Sequence, residues 1–126
     1  MLKVLIIDDD PHLRAALELR LVKENFQVTT AQSGVQGLEA AEKENPNLIV
    51  LDLAMPDIDG LEVLNRLRKS PVTWDIPVVV LSAISALETR EQIRSLRVAR
   101  FLQKPFSPKD LVAEIIGVLR ETLSSS

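Results

Sequence analysis

Short apolar runs recur along this chain, separated by stretches too long for hairpin turns and long enough for a crossover helix. The runs are "KVLIID" (3–8), "QVTTA" (27–31), "NLIVLD" (47–52), "PVVVLS" (77–82) and "ARFLQ" (99–103). Three of them are almost unbroken Val, Ile and Leu, as strands covered on both faces require. The stretches between them carry helical spacing and helix-start signals. Leu13, Ala16, Leu17 and Leu21 form one apolar stripe. It begins after Asp10, a capping residue, and Pro11, at the first helical position. Ser33, then Asp59 or Gly60, then Ser85 and Ser107-Pro108 open the next four helices, and Asn45-Pro46 closes the second. The alternation predicts an α/β fold: a doubly wound five-stranded parallel sheet, order 2-1-3-4-5, with helices on both faces. One domain over 1–123 is expected, with 124–126 a disordered tail or linker remnant.

The third run ends on a carboxylate, Asp52, which a buried strand end must compensate or use. In a doubly wound sheet, ligands bind outside the carboxyl ends of the strands, at the switch point between strands one and three. Asp8 and Asp9 end strand one, Ser82 ends strand four and Lys104 follows strand five. The topology therefore gathers three acids, a hydroxyl and an ammonium at one rim. Clustered carboxylates repel one another, and their natural compensator is a hard divalent cation, Mg²⁺ or Mn²⁺. Such an ion leaves room for a phosphoryl oxygen, with the lysine and the serine placed to hold others.

Composition narrows the chemistry further. There is no cysteine and one histidine, His12, so disulfides, thiolate chemistry and multi-histidine metal sites are excluded. His12 is expected on the surface. The net charge of −3 weighs against nucleic acid as the main partner. No apolar run reaches membrane-spanning length, and Met1-Leu-Lys leads directly into a strand, so a soluble cytoplasmic protein is expected.

The pieces "LIIDDDP", "DLAMPDIDG", "PVVVLSA" and "FLQKPF", in this order and spacing, resemble the receiver domain of two-component response regulators. The likeness covers essentially the whole chain and implies the flavodoxin-like, CheY-like (βα)5 fold. It implies a signalling domain rather than an enzyme, in which Asp52 accepts a phosphoryl group from a histidine kinase or histidine phosphotransfer protein. It further implies that Asp8, Asp9, Asp52 and the backbone carbonyl of Ala54 hold Mg²⁺, and that Ser82 and Lys104 contact the phosphoryl oxygens. Ser82 and Phe101 would be the switch pair, and Lys104-Pro105 a cis step. Ala54 and Ile84 would flank the path of attacking water, and neither orients a water molecule. From below, an aspartate is a feasible nucleophile towards phosphorus, and phosphoryl transfer needs positioning and charge neutralisation more than an acid or base.

Two departures from the family stand out. "SLRVARF" puts Arg97 and Val98 where a Gly-Ala step is usual, and Phe101 stands where tyrosine is common. Arg90, Arg94 and Arg97 fall on one face of the fourth predicted helix, and Arg100 extends the stripe. The fifth predicted helix is apolar over more than one face, at Leu111, Val112, Ile115, Ile116, Leu119 and Leu123. A downstream protein target, or a homodimer using Glu114 and Glu121, is expected on helix 4, strand 5 and helix 5. Trp74 is expected as a loop anchor packed on the sheet rim. Three rival readings share parts of this pattern. A haloacid-dehalogenase-like aspartyl phosphatase would place its nucleophile at the end of strand one. A flavodoxin-like cofactor binder would need a phosphate-cradling loop where three aspartates stand. A degenerate receiver would bind partners without phosphorylation.

Overall fold

The computed structural model describes residues 1–55, 57–83 and 93–124. The five strands are β1 (Lys3–Ile7), β2 (Gln27–Ala31), β3 (Leu48–Asp52), β4 (Val78–Ser82) and β5 (Arg100–Gln103). They form one parallel sheet in the order β2-β1-β3-β4-β5. The helices among the described residues are α1 (Pro11–Lys23), α2 (Gly34–Glu44), α3 (Gly60–Lys69) and α4 (Pro108–Ser124), the last being the fifth predicted helix. The start of the fourth predicted helix, with Ile84, Ser85 and Arg90, lies outside the described residues.

The sequence pattern accounts for the layers. β3 and β4 are buried at every position and β1 at all but its first, whereas β2 and β5 at the edges are only partly covered. Alternate residues point to opposite faces. Leu5, Ile7, Ile49, Leu51, Val78 and Val80 pack with α2 and α3 residues such as Ala41, Val63, Leu64 and Leu67. Val4, Ile6, Leu48, Val50, Val79 and Leu81 pack against Leu17 and Leu21 of α1 and Leu111, Ile115 and Val118 of α4. Burying each such side chain contributes about 1.5–3 kcal/mol, which fixes both helix layers on the central strands.

The caps form where the sequence marks them. Asp10 accepts from the N–H groups of His12 and Leu13, Ser33 from Gln36, and Asp59 from Leu61. Ser107 Oγ accepts from Asp110 N. His12 is exposed, as expected.

Three expectations are corrected. Trp74 is not packed on the sheet rim. It is half exposed and carries the Arg97 guanidinium above its ring, 5.6 Å from the centroid. Arg97 does not continue a helical stripe, because its φ of 56° is left-handed. It takes the conformation that suits glycine, and its side chain turns towards Trp74. Arg100 is not a free extension of that stripe either. It is paired within the chain, to Glu114 at 3.1 Å and to Glu121, so the two acids expected to meet a second copy already have a partner. The apolar excess of the last helix is real but local. Ile116 is half-buried beside a groove of about 600 Å³ with Leu19 and Val112, and Leu123 is exposed.

A residue that sequence reading passed over ties the lower loops together. Arg68, near the end of α3, donates from Nε to Leu96 O (2.8 Å) and from one terminal nitrogen to Trp74 O (3.1 Å) and Ile76 O (2.8 Å). Its other terminal nitrogen reaches Arg97 O at 3.3 Å. One planar guanidinium thus closes both chain segments that lead into β4 and β5.

Candidate phosphoacceptor site

The strand ends deliver the predicted residues to one rim. β1 lies between β2 and β3, so the chain turns away in opposite directions after β1 and β3 and leaves a crevice there. Asp8 follows β1 and is fully buried, its N–H still bonded to Ala31 O at 3.1 Å. Asp52 ends β3 and is 2% exposed. Asp9 is exposed on the lip. Carboxylate oxygens of these three residues lie within 4.8 Å of one another. Asp10, the third member of the acidic run, is turned to capping α1 instead.

Asp52 is held at both oxygens. Oδ1 accepts from Ala54 N at 3.0 Å, and Oδ2 accepts from Lys104 Nζ at 3.0 Å. Lys104 reaches it from the end of β5, where its own N–H donates to Ser82 O at 2.8 Å. The Lys104-Pro105 peptide is cis, as the resemblance implied. Burial pulls the Lys104 pKa down, but the hydrogen bond to Asp52 and the charges of Asp52, Asp8 and Asp10 outweigh it and leave the pKa raised. Ser82 is buried at the end of β4, with its residue opposite Gln103 of β5. Phe101 is half-buried on β5, opposite Val80 and packed against the α2–α3 side of the core.

Asp8 is the strained member. Its Oδ1 accepts from Asp10 N at 2.9 Å, but its Oδ2 is buried without a hydrogen-bond partner among the described residues. Its pKa is raised from 3.8 to about 6, chiefly by burial. The Asp10 N–H opposes that shift, the charge of Asp52 adds to it, and Lys104 and Asp9 act in opposite senses. A raised acid binds its proton more tightly in the folded state, so its contribution to stability is full below pH 3.8 and is lost as pH rises towards about 6. An orphaned, buried carboxylate oxygen among two further carboxylates is a hard-oxygen donor set, and it fits a divalent cation.

Sequence reading missed two supports of this site. Arg14 donates to the backbone carbonyl of Asp8 at 2.6 Å. Asp57, given no reading of its own within "DLAMPDIDG", accepts from the backbone at the start of α2. Neither has a local signal. Arg14 looks like any helix-surface arginine, and the partners of Asp57 lie in a different strand–helix unit. Gly60 does have one. A Cβ there would come 2.4 Å from Leu53 Cα, so the turn back into α3 needs glycine.

The described fold and this rim define a receiver-type α/β domain. The chain belongs to the response regulator receiver domain family, whose profile it matches over residues 4–116. It is 40% identical over 124 residues to the probable transcriptional regulator ycf27 of Porphyridium aerugineum, covering 98% of this chain and 50% of that one. It is 35% identical to the DNA-binding dual master transcriptional regulator RpaA of Synechocystis, covering 97% of this chain and 51% of that one. A crystal structure of a CheY-like response regulator receiver domain protein from Methanospirillum hungatei superposes with a TM-score of 0.92 at 25% identity. That match covers 100% of this chain and 99% of the other. The chain thus spans about half the length of the ycf27 and RpaA relatives. It is a signalling domain of two-component systems, and the phosphatase and flavodoxin-like readings are set aside with the family match. Among the described residues, no helix is long and apolar enough to cross a membrane.

Proposed function

We propose that the domain receives a phosphoryl group on Asp52 from a phosphohistidine of a histidine kinase or histidine phosphotransfer protein. The observation that carries this reading is the buried Asp52 carboxylate, held by Lys104 beside the partnerless Oδ2 of Asp8. An Asp52 oxygen attacks phosphorus in line. The P–N bond to the imidazole breaks, the imidazole leaves with the bonding pair, and an acyl phosphate forms on Asp52. Asp8, Asp9, Asp52 and the Ala54 carbonyl would hold Mg²⁺ or Mn²⁺, which supplies charge neutralisation for the incoming phosphoryl group. Lys104 keeps its charge at neutral pH, its pKa being raised, and transfers its contact from Asp52 to a phosphoryl oxygen. Ser82 bonds another phosphoryl oxygen, and Phe101 follows it inward. That biases a pre-existing equilibrium of the surface formed by residues 93–103 and α4.

The chain acts as a switch that assists its own modification, not as an enzyme turning over a free substrate. Its output is a protein contact or a homodimer on that surface, in the cytoplasm. The names of the longer relatives support gene regulation as the purpose served. The net charge of −3 supports a protein, rather than nucleic acid, as what this domain itself touches.

Incubation with acetyl phosphate and Mg²⁺ is expected to add one phosphoryl group, and chelation to prevent it. A protein that folds and binds Mg²⁺ but takes no label would instead be a receiver that works by binding alone.

A further inference from the structure

The loop between β3 and α3 carries a second carboxylate with a definite task. Asp57 is exposed, yet its two oxygens are each engaged by the first turn of α2. Oδ1 accepts from Gly34 N and Oδ2 from Val35 N, both at 3.0 Å. With Ser33 Oγ taking Gln36 N at 3.2 Å, the start of α2 is capped largely by a residue from another strand–helix unit. These backbone donors, Val35 first and then Gly34, hold the Asp57 carboxyl below the usual range. The next residue presses on the same place. A Cβ at Gly34 would come 2.5 Å from Ile58 Cγ1, so glycine there lets the loop lie directly on the helix start.

Three of the described residues of this loop are therefore held in place. Ala54 N donates to Asp52 Oδ1, Gly60 N donates to Leu53 O at 3.2 Å, and Asp57 grips α2. Ala54 sits between these anchors. A main-chain carbonyl has no side-chain torsions of its own and can be aimed only by the loop that bears it. Mg²⁺ accepts little departure from octahedral geometry, so the aim of such a ligand bears on affinity.

We propose that Asp57 is a positioning residue for the divalent cation. Its two-pronged latch onto the N-terminus of α2 fixes the loop and, through it, the Ala54 carbonyl. This rests on the assignment of that carbonyl as a ligand under the receiver reading above.

The test is a Mg²⁺ titration of the unphosphorylated protein by calorimetry, with Asp57→Ala and Asp57→Asn beside the wild type. Asp57→Ala is expected to weaken Mg²⁺ binding about tenfold, the scale on which groups that orient metal ligands act. Asp57→Asn keeps one acceptor oxygen and should fall between the two. Hydrogen exchange at the Gly34 and Val35 amides should quicken in Asp57→Ala, with the thermal midpoint lowered by only a few degrees, since loss of a helix cap costs about 1 kcal/mol. Unchanged Mg²⁺ affinity in Asp57→Ala, with those amides exchanging faster, would reduce the latch to a helix cap and overturn the proposal. Equal loss in both variants together with a large fall in thermal midpoint would show general damage and overturn it too. The two readings separate in the same proteins. Wild type that binds Mg²⁺ but takes no phosphoryl group from acetyl phosphate removes the phosphoacceptor role and leaves the latch standing.

Discussion

Asp8→Asn is expected to make the metal-free protein more stable at pH 7 and to remove most of its response to divalent cations. Asp8 is fully buried in a cluster with the Asp9 and Asp52 carboxylates, and its Oδ2 has no hydrogen-bond donor among the described residues. With a pKa raised to about 6, it is mostly ionised at neutral pH and is then at its least favourable. Asparagine keeps an acceptor for Asp10 N and replaces the orphaned oxygen with a donor amide. The gain should be about 1–3 kcal/mol, a rise of several degrees in thermal midpoint. It should shrink as pH falls from about 6 towards 3.8, because the wild-type carboxyl then takes up its proton. Added Mg²⁺ should reverse the order, since a ligand stabilises only the protein that binds it. Thermal melts of both proteins with chelator and with Mg²⁺, across that pH range, decide the matter. A variant less stable than wild type in chelator at pH 7 would show that the Asp8 charge is already compensated.

Arg68→Ala is expected to destabilise the fold by about 2–4 kcal/mol, since two partly buried carbonyls and two exposed ones lose a charged donor at once. The carbonyls of Leu96, Trp74, Ile76 and Arg97 belong to two separate loops, so no single neighbour can replace the guanidinium. Arg68→Lys should recover only a small part, because an ammonium cannot reproduce the planar fork. Denaturant unfolding measures the effect. A loss below about 0.5 kcal/mol for the alanine variant would mean that these bonds are exchanged for water without penalty.

What the sequence made legible follows from the range of the physical signal. β1, β3 and β4 announce themselves because two-sided burial leaves no room for polar residues, and their order follows from the crossover helices between them. Asp8, Asp9, Asp52, Ser82 and Lys104 were legible because each stands at or next to a strand end, and the topology alone brings strand ends together. Their hydrogen bonds were not. That Lys104 bonds Asp52, and that among the described residues Asp8 has the one buried side-chain oxygen without a hydrogen-bond partner, depends on backbone turns that no periodicity encodes. Arg97 shows the opposite failure. Its spacing from Arg94 reads as helical, but the described chain turns there, and a left-handed residue ends the pattern. Trp74 was misplaced because an apolar ring before a strand suggests burial, whereas here an arginine covers it. Asp57 and Arg68 act between units far apart in the chain, where local reading has nothing to hold.

The proposed carrier of the phosphoryl group is the Asp52 carboxylate. This assignment is tested most directly by treating the acetyl-phosphate-labelled protein with borohydride, which reduces an acyl phosphate to an alcohol, and mapping the peptides by mass. Homoserine is expected in place of Asp52, none at Asp8, Asp9 or Asp57, and no conversion in Asp52→Asn or in the presence of chelator. Conversion at another aspartate, or undiminished conversion in Asp52→Asn, would contradict it.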